Sequence, residues 1–298
     1  MNRADFQTWM QRHALHVEQV LSSVLPGADQ APVRLHEAMR YAALGGGKRV
    51  RPLLVYAAAE ACLNEASADA TLDPLAAAVE LIHVYSLVHD DLPCMDDDAM
   101  RRGKPTVHVQ YDEACALLVG DALQALAFES VGRLNAPAER VVEAMQVLAR
   151  ASGSLGMVGG QAIDLASVGL ALSPAQLETM HRLKTGALLQ ASTELGGIAV
   201  GADPRQRQSL AEYAKAIGLA FQVIDDILDV TADTARLGKT AGKDEAADKP
   251  TYVSLLGLDQ ARALASALHR QAVEALGPFG SAAHRLTALA DFVVLRDR

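Results

Sequence analysis

The sequence has 298 residues and a formal net charge of −9, and half of its residues are hydrophobic. The negative charge excludes the uniformly basic surface that is typical of nucleic-acid-binding proteins. Cys62, Cys94 and Cys115 lie far apart without a CxxC pair, which argues against a zinc site or a disulfide framework.

The first twenty residues predict no targeting signal. The first twenty residues contain no continuous apolar stretch and include Asp5 and Glu18, so we expect no secretory signal. No window approaches the roughly 18 uninterrupted apolar residues that a membrane-spanning helix requires. We therefore expect a soluble, cytoplasmic protein.

Helical periodicity recurs along the chain, and Ala and Leu, which dominate the apolar residues, favour helix. Asp73 and Pro74 predict an N-cap followed by a first helical turn. Ser173 begins a capping box, and Gly196-Gly197 predicts the end of that helix. No strand is predicted, because alternating runs joined by hairpin signals are missing. The long helices are predicted over residues 74–92, 112–134, 173–195 and 209–230.

The breaks between these helices are short or polar, and none has the composition of a flexible linker between domains. No repeat of fixed period is found. The sequence therefore predicts one all-α domain over residues 1–298, a bundle of about ten or more helices around a central cavity, with 232–250 as a mobile loop. The predicted breaks are residues 26–32, 44–47, 134–138, 201–205 and 238–250.

The stretch HDDLPCMDDDAMRR, residues 89–102, contains five aspartates within nine residues. Carboxylates this close raise one another's pKa unless a cation lies among them. A solvated charge run is the simplest interpretation of such a stretch. The run follows a mostly apolar helical segment, however, which favours a position at the mouth of the core. The candidate site residues are Asp90, Asp91 and Asp96.

A second acidic cluster, Asp225, Asp226 and Asp229, lies in FQVIDDILDVTAD. One helical stripe, spaced i, i+4, i+7 and i+11, contains Gly218, Gln222, Asp225 and Asp229. No Lys or Arg stands at pairing distance on this helix. Half-buried carboxylates without basic partners are typical of metal ligands, and oxygen ligands suit magnesium shared with substrate phosphates. The lack of clustered Cys and His disfavours zinc.

Residues 44–53, LGGGKRVRPL, combine three glycines with Lys48, Arg49 and Arg51. The GxxxxGK[ST] spacing of a Walker A loop is missing. Glycines beside Lys and Arg allow the backbone and cationic side chains to approach a phosphate together. Taken alone, the stretch is also compatible with a basic surface loop.

Other basic residues are candidates for the same site. His83 lies seven residues before Asp90, two helical turns away on the same face, although a histidine on an apolar helix is more often a core residue. Lys184 shares a helical stripe with three leucines and is expected to point inward, where a lysine needs an anion. Arg101 and Arg102 could form either ion pairs with the acids or contacts with a phosphate. Lys239 and Lys249 flank a loop that could close over the site.

The motifs together resemble those of the trans-isoprenyl diphosphate synthases, and most closely the short-chain bacterial farnesyl diphosphate synthases. In chain order they are GGGKRVRP, ELIHVYSLVHDDLPCMDDDAMRRGKPTVH, VGDAL, GGQAIDL, HRLKTGAL, FQVIDDILDVTAD and LGKTAGKDEAADKPTY. They cover roughly residues 40–255 in the order of the family. The first aspartate-rich motif, at 90–96, has the form with four intervening residues, and the second lies at 225–229.

The resemblance implies two diphosphate sites in an all-α bundle that is commonly a homodimer. An isopentenyl diphosphate site would comprise Lys48, Arg51, His83 and Arg102. Two or three Mg²⁺ ions on Asp90, Asp96 and Asp225 would hold the allylic diphosphate, surrounded by Arg101, Lys184, Thr185, Gln222, Lys239 and Lys249. Asp91, Asp226 and Asp229 would be supporting or shared ligands, and Gln161 and Asp164 would support the metal-bound waters.

The implied reaction is a prenyl transfer that needs no enzymic nucleophile. Metals and cations stabilise the departing diphosphate, the allylic C–O bond ionises, and the double bond of isopentenyl diphosphate attacks before a proton is lost. Tyr85 and Ser86 lie about one helical turn below the acids and would form the floor that limits product length. By resemblance, Tyr85 and the Pro93-Cys94 insertion favour farnesyl diphosphate over geranylgeranyl diphosphate. A purely packing role for Tyr85 is the alternative.

Two further interpretations compete with this one. A terpene cyclase also has an aspartate-rich first motif, but it generally carries an Asn/Ser/Glu second motif and has no use for Lys48, Arg51 and His83. A non-catalytic helical partner subunit would be expected to lose ligands, and none of the motif residues is missing here. Both alternatives fit the sequence poorly.

Overall fold

The computed structural model describes residues 3–63, 69–170, 172–231 and 250–295, and most of these residues are helical. The predicted all-α fold class is confirmed. In chain order the helices are α1 (Arg3–Val24), α2 (Val33–Ala43), α3 (Val50–Leu63), α4 (Asp69–Asp90), α5 (Val107–Gln110), α6 (Glu113–Gly132), α7 (Ala138–Ser152), α8 (Met157–Ala166), α9 (Pro174–His181), α10 (Ala187–Val200), α11 (Pro204–Thr231), α12 (Tyr252–Leu256), α13 (Leu258–Ala275) and α14 (His284–Val294). A π-helical turn, Arg182–Gly186, joins α9 to α10, and a 3-10 segment, Gly277–Ala283, precedes α14.

Helices α3 and α10 lie at the centre of the bundle. The residues 52–61 of α3 are all buried, as expected for a helix that is hydrophobic on every side. Gly196 of α10 allows the two helices to approach closely, because a Cβ there would overlap the backbone carbonyl of Val55. Helix α10 also packs against α4, α7 and α11. The two helices that carry the acidic clusters, α4 and α11, are therefore fixed against the same central helix.

Helices α4 and α6 are unusually apolar. The stretch Ala70–Asp90 of α4 and the whole of α6 are long and apolar enough to cross a membrane by composition alone. The two helices pack extensively against each other, and 67% and 50% of their most apolar windows are buried inside the protein. Packing in the core therefore accounts for their composition.

The start of α4 differs from the prediction. The helix begins at Asp69, so Pro74 lies inside it and Asp73 is not its N-cap. The carboxylate of Asp73 instead contacts His16 Nε2 (2.8 Å) and accepts a hydrogen bond from Tyr56 Oη (2.7 Å). Because side chains of α1 and α3 occupy this carboxylate, the capping prediction from the local sequence was wrong.

The 173–195 helix was correctly predicted at its start and wrongly at its end. The Ser173 hydroxyl accepts from the Gln176 N–H (3.4 Å) and the Ser173 N–H donates to Gln176 Oε1 (2.9 Å), which completes the capping box. The helix continues through Gly196-Gly197 to Val200 and stops at Gly201, where φ is +73°. The glycine pair provides close packing in the core and not a helix end.

The prediction of no strand was also wrong. Two-residue strands β1 (Met100–Arg101) and β2 (Lys104–Pro105) form a small antiparallel hairpin, with Met100 opposite Pro105. Arg102 and Gly103 form its turn at φ +52° and +74°. The hairpin follows the first acidic cluster directly, so it determines where Arg101 and Arg102 project. The predicted mobile loop at 232–250 lies outside the described residues except for its last residue.

Candidate active site

A cavity of about 380 Å³ opens between α3, α4, α8 and the π-helical turn. Its wall is partly polar and partly apolar, with Leu87, Met95 and Met157 among the apolar residues. The cavity brings together segments that are remote in the chain. The residues singled out from the sequence that line it are Arg51, His83, Tyr85, Ser86, Asp90, Gln161, Lys184 and Thr185.

Asp90 is the last residue of α4 and lines the cavity. Burial raises its pKa to about 6, Lys184 opposes this shift, and the nearby Asp96 adds to it. The spacer between the two acids folds back onto the helix end, because the Asp96 N–H donates to the Asp90 carbonyl (2.8 Å). Two carboxylates are thereby held close together, an arrangement that a cation would stabilise.

Asp91, the next residue, has a different role. Its buried carboxylate accepts three hydrogen bonds from one guanidinium, two from Arg101 Nε (2.9 Å each) and one from Arg101 Nη2 (2.7 Å). A second acid, Asp98, lies 3.8 Å from the same guanidinium. The charge of Asp91 is therefore balanced within the chain, and the pair orients Arg101 beside the acidic cluster.

The acids of α11 face different surroundings. Asp225 accepts a hydrogen bond from Gln222 Nε2 (3.2 Å), and Gln222 Oε1 accepts one from the Thr185 hydroxyl (2.9 Å). These contacts connect the second acidic cluster with the π-helical turn. Asp226 is buried and accepts a hydrogen bond from the Tyr252 N–H (2.7 Å), which attaches the start of α12 to α11.

Arg51 connects the two acidic helices electrostatically. Burial lowers its pKa to about 10, whereas Glu80 of α4 and Asp225 of α11 oppose this shift. Arg51 therefore lies within the field of Asp225 while it shares the cavity wall with Asp90. Asp90 of the first acidic cluster lines the cavity, whereas the acids of α11 are not among its lining residues and relate to it through Arg51 and through Gln222 and Thr185.

The π-helical turn presents Lys184 and Thr185 to the cavity. Lys184 Nζ donates to Asp164 Oδ2 (2.6 Å), so the lysine points inward and meets an anion from α8. Helix α8 approaches this turn so closely that a Cβ at Gly160 would overlap the Lys184 backbone. π-Helical turns are frequent at functional sites. Here the turn brings two polar side chains to one wall.

Gln161 is the clearest sign of a polar ligand. Neither its amide nitrogen nor its amide oxygen has a hydrogen-bond partner in the described part of the chain, although both atoms are buried and the residue lines the cavity. Buried amides are normally satisfied, so a ligand, water or ion is expected beside this one. Metal-bound waters or phosphate oxygens fit this requirement.

The described ranges contain no group of three or more His, Cys, Asp or Glu side chains arranged to hold a metal ion. The three carboxylates that the sequence predicts as metal ligands come from the end of α4 (Asp90), the turn that follows it (Asp96) and α11 (Asp225). Mg²⁺ binds in this way, since it retains several waters and shares its remaining positions with substrate phosphates. The residues present fit that ion and do not fit zinc.

His83 lies at the cationic side of the cavity. Burial, and then the guanidinium groups of Arg51 and Arg102, lower its pKa well below the usual value. The imidazole is therefore neutral at pH 7, and it can donate one hydrogen bond while accepting another. The concentration of arginines around it makes this end of the cavity suitable for an anion.

Arg102 and Lys48 make different contacts near the arginine-rich end of the cavity. Arg102 Nη1 donates to the Gly46 carbonyl (2.8 Å), which ties the hairpin to the glycine turn before α3. Lys48 is exposed, and its Nζ lies over the Phe292 ring of α14 at 5.6 Å from the centroid. The structure thus brings Arg51, His83 and Arg102 together and directs Lys48 toward α14. Lys239 and Lys249 lie outside the described residues.

Sequence reasoning missed the acids that surround Arg49. Its guanidinium is buried between Glu18 of α1 and Glu80 of α4, at 2.5 and 2.6 Å. Glu80 stands in the otherwise apolar stretch PLAAAVELIHVY, which is a signal that it has a buried partner. Glu18 carries no such local signal.

Residues 32–277 match the model of the polyprenyl synthetase family. The chain belongs to the polyprenyl synthetase family. A probable farnesyl diphosphate synthase of Bradyrhizobium diazoefficiens is 50% identical over 95% of this chain and 86% of its own. The farnesyl diphosphate synthase of Haemophilus influenzae is 47% identical over 98% of both chains. A chloroplastic geranylgeranyl pyrophosphate synthase of Catharanthus roseus is 46% identical over 98% of this chain and 82% of its own.

Solved structures of family members have the same fold. An FPP/GFPP synthase from Zymomonas mobilis in its apo form superimposes with a TM-score of 0.88 at 43% identity, covering 98% of this chain and 99% of its own. A geranyltransferase from Helicobacter pylori, complexed with magnesium and isoprenyl diphosphate, has a TM-score of 0.83 at 33% identity, with 97% and 96% covered. The predictions of the family, the fold class and a prenyltransferase enzyme are confirmed.

Proposed function

We propose that this polyprenyl synthetase condenses isopentenyl diphosphate with dimethylallyl and then geranyl diphosphate to give farnesyl diphosphate and diphosphate. One observation carries the proposal: a single cavity has Asp90 and Lys184 beside Arg51 and His83. Such a cavity can hold one diphosphate through metal ions and a second through arginines. The relatives named farnesyl diphosphate synthase support the same activity.

The acidic end is proposed to hold the allylic diphosphate. Asp90, Asp96 and Asp225 would coordinate two or three Mg²⁺ ions, and these ions, when bound, would neutralise charge on the departing diphosphate. The buried amide of Gln161 lacks a hydrogen-bond partner in the described residues. It would accept hydrogen bonds from the coordinated waters or donate hydrogen bonds to them. Direct contacts to the same diphosphate are assigned to Lys184, Thr185, Gln222, Arg101, Lys239 and Lys249.

The remaining acids are proposed to support this end. Asp91 orients Arg101 through its three hydrogen bonds. Asp226 holds the start of α12 through the Tyr252 amide. Asp229 is buried on the same helix face as Asp225 and is assigned a supporting or shared role. Asp164 restrains Lys184.

The arginine-rich end is proposed to hold isopentenyl diphosphate, through Arg51, His83, Arg102 and Lys48. The neutral imidazole of His83 would donate a hydrogen bond to a phosphate oxygen. Arg51 and Arg102 would supply the positive charge, since guanidinium groups match phosphate geometry. Because the pKa of Arg51 is lowered by burial, an anion beside it would stabilise its charged form.

The reaction then needs positioning and charge stabilisation, and no nucleophile from the protein. The cationic side chains around the allylic diphosphate favour ionisation of the C–O bond. The double bond of isopentenyl diphosphate attacks the allylic cation, and a proton passes to the released diphosphate. The apolar wall, which includes Leu87, Met95 and Met157, excludes water that would otherwise quench the cation.

Product length is proposed to be limited by Tyr85. Its side chain is only 5% exposed and lines the cavity about one helical turn before Asp90. The ring is braced by His89, which packs edge-on at 5.8 Å between centroids and 81° between planes. Ser86, the other residue assigned to the floor, is small. A bulky, braced floor favours a fifteen-carbon product, and geranylgeranyl diphosphate remains the alternative because synthases of that product are nearly as similar.

The test is to incubate the purified protein with dimethylallyl diphosphate, isopentenyl diphosphate and Mg²⁺, and to measure the chain length of the dephosphorylated products. The expected main product is farnesol. A twenty-carbon main product would replace the farnesyl assignment with the geranylgeranyl one. No condensation with any allylic substrate would contradict the proposal and favour a non-catalytic partner subunit.

We further propose that the chain acts as one domain in a cytoplasmic homodimer. Helix α6 exposes two adjacent leucines, Leu117 at 50% and Leu118 at 54%. Covering this apolar face by a second copy would remove it from water. Light scattering after size exclusion is expected to give twice the mass of the 31.5 kDa chain, and a monomer would contradict this assignment.

A further inference from the structure

The turn between α2 and α3 is built from three glycines with φ angles of +102°, +97° and +133° at Gly45, Gly46 and Gly47. Glycine adopts these angles without strain, but a run of three has a large conformational entropy to lose. The turn immediately precedes Lys48 and lies two residues from Arg49 and four from Arg51. Its conformation therefore needs anchors from elsewhere in the chain.

Glu18 of α1 provides the first anchor. Its Oε1 accepts hydrogen bonds from the Gly45 N–H (2.5 Å) and the Gly46 N–H (3.4 Å), and its Oε2 accepts one from Arg49 Nη2 (2.5 Å). Partial burial alone would raise the pKa of Glu18, but the Gly45 amide and the Arg49 guanidinium hold it below its usual value. One carboxylate thus fixes both sides of the glycine turn.

Arg49 provides the second anchor. It is 3% exposed, and its backbone adopts a φ of +50°. Besides its bond to Glu18, the guanidinium donates from Nη1 to Glu80 Oε1 (2.6 Å) and from Nη2 to the Ala43 carbonyl (2.8 Å). The charge of an arginine that is buried between two carboxylates is balanced within the chain. Arg49 therefore acts on the turn and not on a diphosphate.

The opposite side of the turn contacts Arg102, which is assigned to the isopentenyl diphosphate end. The Gly46 carbonyl accepts the hydrogen bond from Arg102 Nη1 (2.8 Å). A Cβ at Gly47 would lie 3.2 Å from that same guanidinium. The peptide groups of the turn are thus held by Glu18 on their N–H side and hold Arg102 on their carbonyl side.

We propose that Glu18 is a positioning residue for the isopentenyl diphosphate end, because its carboxylate fixes the glycine turn whose Gly46 carbonyl orients Arg102. This inference rests on the proposed function. Glu18 itself does not line the cavity, so it acts only through the turn. Its removal is expected to weaken the binding of isopentenyl diphosphate and to spare that of the allylic diphosphate. The residues assigned to the latter that the structure describes lie at the C-terminal end of α4 and beyond it, on α8, on α11 and on the π-helical turn, and none of these contacts Glu18.

The decisive variant is Glu18→Gln, because it preserves the shape of the side chain. All groups that face the Glu18 carboxylate are donors, so the glutamine NH₂ must meet either Arg49 or the glycine N–H groups, and the hydrogen bonds on that side are lost. The KM for isopentenyl diphosphate is expected to rise about tenfold, the effect of losing a charge-assisted hydrogen bond. The KM for geranyl diphosphate and the kcat at saturation are expected to change less than about twofold.

Controls separate positioning from general destabilisation. Gln19→Ala, at the exposed next residue of α1, is expected to leave both KM values unchanged. Glu18→Asp retains the charge and is expected to recover part of the lost affinity. Amide exchange at residues 44–48 should be faster in Glu18→Gln, whereas exchange in α11 should not change.

Equal increases of both KM values, or unchanged values in a folded Glu18→Gln protein, would overturn the inference while leaving the proposed function intact. Failure of the wild-type protein to turn over isopentenyl diphosphate would overturn both. If Glu18→Gln did not fold by circular dichroism, Glu18→Asp would decide: its KM for isopentenyl diphosphate must rise selectively, and a uniform change would overturn the inference.

Discussion

The two ends of the cavity carry opposite charge excesses. At the end formed by α4, α8 and the π-helical turn, burial raises the pKa of Asp90 to about 6 and Asp96 adds to the shift. At the other end, burial lowers the pKa of Arg51 to about 10, and burial together with neighbouring arginines lowers that of His83. The first end is therefore stabilised by cations and the second by anions.

Whether a charged side chain is paired within the chain, more than its residue type, distinguishes the residues that shape the site from those that line the cavity. Asp91 is adjacent to Asp90, yet it is bound to Arg101 through three hydrogen bonds. Arg49 is two residues from Arg51, yet it is enclosed by two carboxylates. In both motifs one member shapes the site while its neighbour lines the cavity.

The largest expected effect is at the acidic end. Asp90→Ala or Asp225→Ala should lower kcat at least about a thousandfold, because charge on the leaving diphosphate would lose its compensation. Helical content by circular dichroism should be nearly unchanged. Glu139→Ala, at an exposed position of α7, serves as the control. Turnover within tenfold of wild type in either aspartate variant would argue against metal binding by these residues.

At the arginine-rich end, removing charge should affect the substrate KM more than kcat. Arg51→Met is expected to raise the KM for isopentenyl diphosphate about a hundredfold, since a buried guanidinium is replaced by an uncharged chain of similar length. Lys48→Met should have a smaller effect, because Lys48 Nζ lies over Phe292. Steady-state kinetics with isopentenyl diphosphate varied would check both. A larger effect at Lys48 would reverse the assignment of the main anion contact.

Substitutions of Tyr85 test whether the apolar part of the same cavity limits product length. Tyr85→Ala should shift the main product from fifteen to twenty or more carbons, because the floor recedes by about the length of one isoprene unit. Tyr85→Phe keeps the bulk and should keep the product length. Products would be separated by chain length after dephosphorylation. An unchanged profile in Tyr85→Ala would show that another residue limits the chain.

Much of the fold and of the site was predictable because the signals are local. Helical spacing places His83 and Asp90 on one face, and both line the cavity. The stripe through Lys184 correctly predicted that this lysine points inward to an anion. Patterns of this kind require only the geometry of a single helix.

The predictions failed where tertiary contacts override the local sequence pattern. Pro74 has the local signature of a helix start, but Asp73 before it is taken by His16 and Tyr56. Gly196 has the signature of a helix end, but it serves close packing against α3. Glu18 lies 27 residues before the turn that it holds, and no local pattern relates the two. Pairing across such distances is determined by how helices pack.

The smallest expected effect concerns the pH dependence of that pairing. The pKa of Glu18 is lowered from 4.5 in the folded protein, so its contribution to stability is present above about pH 4.5 and is lost as the pH falls through the folded value. Glu18→Gln should reduce the free energy of unfolding by on the order of 1 kcal/mol at pH 7. Urea titrations should show this difference shrinking as the pH falls below about 4.5 and through the lowered pKa of the folded protein.

Glu37→Gln makes the same chemical change at an exposed position of α2 and should alter the free energy of unfolding little at any of these pH values. A difference for Glu18→Gln that did not shrink at any pH below 4.5 at which the protein stays folded would mean that the side chain acts through its shape alone. The glycine turn would then be held by packing, and the contrast between charges paired within the chain and charges left for substrates would no longer extend to α1.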